Sequence, residues 1–75
     1  MKLSRFYELV DEEFGTGFSQ VVLNDTRLTE FSDLTPQELI SNGEDVREIW
    51  FAICRAHQVP KERWQGKLQT KRHAE

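Results

Sequence analysis

The stretch "LTPQELISNG" at residues 34–43 decides how this chain folds. Thr35 is a favoured N-cap residue, and Pro36 follows at the first helical position, where its missing N–H costs nothing. Glu38 stands three residues after Thr35, so its carboxylate can reach back and complete a capping box. Leu34 and Leu39 hold the two positions of a hydrophobic staple, which sets the angle of the incoming chain. Asn42 and Gly43 then offer a left-handed stop. A helix specified this heavily and ended after two turns, over 36–42, reads as a corner that aims the next helix.

That next helix is written in "GEDVREIWFAICRAHQ" and is expected over 45–58. Glu44 and Asp45 in its first turn suit the helix dipole, as Arg55 and His57 do near its C-terminus. Val46, Ile49, Trp50, Ile53 and Cys54 fall on one side, with His57 ending the same stripe. Val59–Pro60 is expected to stop it, because the residue before a proline leaves the α region. "PKERW" predicts one further turn near 60–64, with Trp64 free to fold back on the core.

On the N-terminal side of the corner, Ser4 is expected to cap a helix over 3–14. Phe6, Leu9, Val10 and Phe14 make one face at the 3.6-residue period, and Gly15 ends it. In "FSQVVLND", Phe18, Val21 and Val22 form a stripe with Leu23 beside it. A strand would also fit so short a run, but no second strand candidate exists to pair with it, so a helix is expected over 17–25. Leu28, Phe31 and Leu34 recur every three residues, as in a helical turn packed inward. The expected core is Phe6, Val10, Phe14, Val22, Leu39, Ile49, Trp50 and Ile53. The expected fold is all-α, a compact bundle of about four short helices.

Seventy-five residues suffice for one domain, near the size where a single core is only marginally adequate. Eight aromatic residues add large buried area per side chain. One cysteine cannot staple the fold, and with no signal-like apolar stretch the expected setting is a reducing cytoplasm. No run approaches a membrane span. Charge divides unevenly: residues 1–45 hold ten acids against three bases, and residues 46–75 hold seven bases against three acids. In residues 65–75 only Leu68 is sizeable and apolar, so a helical domain over 1–64 is expected to carry a mobile basic tail.

Three blocks carry a resemblance. They are F-x-x-x-x-D-E-x-F-G at 6–15, T-x-x-E-L at 35–39 and G-E-D-x-x-x-I-W-x-A-I-C at 43–54. Together they resemble a family of small actinobacterial proteins known as domain of unknown function 3046, over about residues 1–62. The resemblance implies no assigned activity and no catalytic or binding residues. It does imply a genomic neighbourhood close to the recombinase and its regulator, an associational link to DNA repair. Phe51 departs from the family pattern, in which this position tends to be charged.

The residues argue against several chemistries. Cys54 and His57 are three apart on one helix face, but a structural zinc needs four ligands and no other cysteine exists. Cys54 beside Trp50 and Ile53 reads as a core thiol, and His57 as a helix-end or half-buried group. Asp11, Glu12 and Glu13 diverge by about 100° per residue and do not converge on one substrate atom, so they read as a solvated face. There is no phosphate-cradling glycine loop and no nucleophile elbow. No enzyme, cofactor or metal is expected.

The corner and long helix imitate a DNA-reading pair, yet the leading residues of the second helix would be Glu44, Asp45 and Glu48, facing phosphates. Specific duplex recognition is therefore not expected. Lys67, Lys71 and Arg72 offer an alternative, weak salt-sensitive attachment to nucleic acid through the tail. The leading expectation is a non-enzymatic protein-interaction or regulatory module whose partner is another protein. Its candidate surface is Phe51 with Arg47 and Arg55 at i−4 and i+4, since an aromatic flanked by arginines has hot-spot composition. The competing reading packs Phe51 under the first helix or Trp64.

Overall fold

The computed structural model describes residues 1–65. The expected tail beyond Gln65, with Lys67, Lys71 and Arg72, lies outside the described residues. Four α-helices follow one another: α1 (Leu3–Phe14), α2 (Thr16–Asp25), α3 (Pro36–Ser41) and α4 (Val46–Ala56). Two short 3-10 turns join them, Thr29–Phe31 before α3 and Lys61–Arg63 after α4. Each helix packs on its neighbour in sequence, and α1 closes the ring against α4. The fold is all-α; among the described residues the sole extended pairing is an isolated bridge between Leu28 and Leu34.

The corner forms as its residues dictate. The Glu38 backbone N–H donates to Thr35 Oγ1 at 3.2 Å, and the Thr35 N–H donates to Glu38 Oε1 at 2.9 Å. Gly43 takes φ +84°, its N–H donates to the Ile40 carbonyl, and the Glu44 N–H donates to the Leu39 carbonyl. That pair of bonds is a Schellman ending, and it turns the chain straight into α4.

The start of α4 differs from expectation by one residue. Asp45 caps the helix from outside, its Oδ1 accepting from the Arg47 N–H at 2.9 Å. Its end differs more. The helix stops at Ala56, two residues before the expected boundary, because Gln58 adopts φ +58°. The Val59 N–H then reaches the Cys54 carbonyl at 2.8 Å, a second Schellman ending. Val59 is buried, so an apolar contact after the turn supplies what no glycine does. Pro60 follows a stop already made.

At the other end Ser4 lies inside α1 rather than capping it, and the cap position, Lys2, makes no side-chain bond. The segment 28–34 closes on itself: the Leu28 N–H donates to the Leu34 carbonyl at 3.0 Å and the Asp33 N–H to the Leu28 carbonyl at 3.0 Å. Ser32 and Asp33 both take positive φ there, at 61° and 64°. The predicted helical turn is thus a single 3-10 turn that buries Leu28 and half-buries Phe31 and Leu34.

Phe6, Val10, Val22, Leu39, Ile49, Trp50 and Ile53 are all buried, as expected. Phe14 is not. It is half-buried at the rim and leans against the core from outside.

Candidate functional site

The predicted surface on α4 is largely consumed by the fold. Phe51 is half-buried and stacks on Trp64, with ring centroids 5.2 Å apart and planes inclined by 28°. Arg55 turns to Glu30, donating Nε to Oε2 at 2.8 Å and Nη2 to Oε1 at 2.5 Å. This bidentate pair draws the Glu30 carboxyl below its usual range and ties the 3-10 turn to α4. Arg47 remains exposed, but no free arginine flanks the Phe51 ring on its other side. The competing reading of Phe51, packing against Trp64, is the arrangement found.

Trp64 is held by more than its stack. The Trp50 indole N–H donates to the Trp64 carbonyl at 2.7 Å, and the Trp64 indole N–H donates to the Val59 carbonyl at 2.7 Å. Arg63 grips Glu13 through Nε at 3.1 Å and Nη2 at 2.8 Å, and Arg5 donates to the Gln65 carbonyl at 3.1 Å. The segment after α4 is therefore strapped across α1 and α4. Glu13 is not the solvated acid expected from the run Asp11–Glu12–Glu13: its side chain is only 8 % exposed beneath Arg63. Glu12 lies 3.4 Å from Arg5, and of the three only Asp11 is exposed.

Cys54 and His57 are turned to different tasks. Cys54 is buried, and that burial pushes its thiol up to about 12, so it is a thiol at neutral pH and a poor nucleophile. His57 lies on the surface at the end of α4, hydrogen-bonded through Nε2 to Thr26 Oγ1 at 2.9 Å. Among the described residues no group of three or more His, Cys, Asp or Glu side chains is placed to hold a metal ion. No helix among them is long and apolar enough to cross a membrane.

A different surface emerges on α1 and α2. In α2 the buried residues are Ser19, Val22 and Leu23, with the Ser19 hydroxyl donating to the Thr16 carbonyl at 2.9 Å. Phe18 and Val21, which share the sequence stripe with Val22, face outward at 49 % and 43 % exposure. The signal was available in sequence: Phe18, Val21, Val22 and Leu23 span an arc of roughly 200°, wider than one buried stripe can accept. At least one had to face water. Phe18 is continued by further rings: its centroid lies 6.2 Å from Phe14, and Phe14 lies 5.0 Å, edge-on, from His57. Half-buried Phe14 thus contacts both exposed Phe18 and exposed His57, and Val21 is exposed one turn along α2 from Phe18.

The fold is a small all-α bundle that exposes Phe18 and Val21 on α2. Residues 1–62 match the family described as Protein of unknown function (DUF3046), and the chain belongs to it. No curated protein and no solved structure matches the chain significantly.

Proposed function

We propose that this chain is a non-enzymatic protein-interaction module of the cytoplasm, and that it acts through the α1–α2 face. The exposure of Phe18 carries the reading. An aromatic residue half in water beside exposed Val21 loses burial that a domain this small can hardly forgo. A docked partner recovers that burial, and aromatic residues are the common anchors of such contacts. Catalysis has little support: the one thiol is buried and protonated, and Glu12 and Glu13 are paired with Arg5 and Arg63. The genomic association implied by the family resemblance supports a partner among DNA-repair proteins.

Affinity capture from native cytosol tests this reading. Wild-type protein should retain a partner that Phe18→Ser loses and Arg47→Ala keeps. The same proteins captured by all three would remove the α2 face from consideration. Binding to DNA that weakens steeply with salt and ignores Phe18→Ser would instead favour the basic C-terminal region, with Lys67, Lys71 and Arg72.

A further inference from the structure

We propose that the Phe14–Phe18–Val21 face is the docking site for a basic amphipathic helix of a partner protein, an inference that rests on the interaction reading above and names its partner class. Two observations carry it. The Phe14 centroid lies 6.2 Å from Phe18 and 5.0 Å from His57, each close to the ~5.4 Å pitch of an α-helix. Anchors one helical turn apart on a partner helix, at i and i+3 or i+4, match the spacing of a ring pair such as Phe14 and Phe18.

Charge names the rest of the partner. Between Arg5 and Arg27 the chain has no lysine or arginine, and it has five acids: Glu8, Asp11, Glu12, Glu13 and Asp25. Glu8 and Glu12 share Arg5, and Glu13 takes Arg63. Asp11 and Asp25 are exposed, and neither has an ion-pair partner among the described residues. Asp25 lies on the same side of α2 as Phe18 and Val21, at i+7 and i+4. Asp11 lies one turn before Phe14 on α1. An apolar Phe14–Phe18–Val21 face with acids at its margins is complementary to leucines flanked by lysines or arginines.

The same acids weigh against other occupants. A second copy docked face to face about a two-fold axis would gather the Asp11 and Asp25 carboxylates of both copies into one interface. Anionic lipid headgroups and nucleic-acid phosphates meet the same repulsion.

The test uses two labelled amphipathic peptides of roughly 18 residues, about five helical turns, sharing one leucine face. One carries lysines on its polar face and the other glutamates. Fluorescence anisotropy should show the lysine peptide binding about tenfold or more tightly than the glutamate peptide. Phe18→Ser should weaken the lysine peptide about tenfold, as loss of a central anchor does. The pair Asp11→Asn and Asp25→Asn should weaken it about fivefold, while the charge-matched pair Glu44→Gln and Glu48→Gln changes it less than about twofold. Phe18→Ser replaces an exposed side chain, so an unchanged helical circular-dichroism spectrum should accompany it. Equal binding of both peptides, binding of neither, or equal effects of the two acid pairs overturns the proposal. So does wild-type self-association abolished by Phe18→Ser. Phe18-dependent capture from cytosol without the peptide preference removes the basic partner and leaves the docking face; loss of both removes the face as well.

Discussion

The indole N–H of Trp50, in the middle of the core, donates to the backbone carbonyl of Trp64, fourteen residues on, at 2.7 Å. One buried ring thus fixes where the chain after α4 must run, and that chain returns the second indole over Phe51. Trp50→Ala should cost about 3–5 kcal/mol, much of the stability of so small a domain. Trp50→Phe keeps most of the packing and leaves the Trp64 carbonyl short of its donor, so about 1 kcal/mol is expected. Urea unfolding followed by circular dichroism separates the two, and near-equal losses would mean the hydrogen bond, not the packing, dominates.

Phe51 and Phe18 should respond in opposite ways to the same change. Phe51→Asp places a carboxylate against the Trp64 ring and should cost about 2–3 kcal/mol. Phe18→Asp touches a ring already half in water and should stay within about 0.5 kcal/mol. Thermal melts of both variants measure this. A stable Phe51→Asp would restore the α4 surface formed by Arg47, Phe51 and Arg55.

Thr35→Ala should lose about 1 kcal/mol, because the Glu38 backbone N–H loses its acceptor. Combined with Glu38→Ala the loss should be less than additive, since both residues belong to one box. Acid stability reads the same contact. The Thr35 N–H holds the Glu38 carboxyl below its ordinary 4.5, and Arg55 does so for Glu30. A carboxyl with a depressed folded value stabilises the fold fully above 4.5, and that contribution is lost as pH falls through the lower folded value. Replacing Glu30 and Glu38 by glutamine should flatten the fall in stability as pH drops below 4.5. An unchanged slope in acid titrations of the double variant would rule these two carboxyls out as its source.

Cys54 should resist thiol reagents. With its thiol held up to about 12, the thiolate fraction at pH 8 is on the order of one in ten thousand. Labelling should be slow in native buffer and fast in urea, with the native rate tracking unfolding. Fast native labelling would show that the α1–α4 interface opens locally around Cys54.

What the sequence determined by itself is the set of helices and the corner between α3 and α4. A capping box joins residues three apart, a Schellman ending closes over six, and a helical stripe repeats every three or four. Each is a local relation, which is why Thr35, Glu38, Asn42 and Gly43 disclosed their structure before any packing was known. The end of α4 was less legible because Gln58 is not a residue that favours positive φ; burial of Val59 holds it there. Only the tertiary structure decided which side of α2 faces water. Its apolar residues cover too broad an arc for one interface, and the neighbours α1 and α3 selected Ser19, Val22 and Leu23 for burial. The same holds for Phe51 and Glu13, whose partners Trp64 and Arg63 stand thirteen and fifty residues away. A contact over that distance depends on how the helices are placed against one another, and no local pattern encodes it.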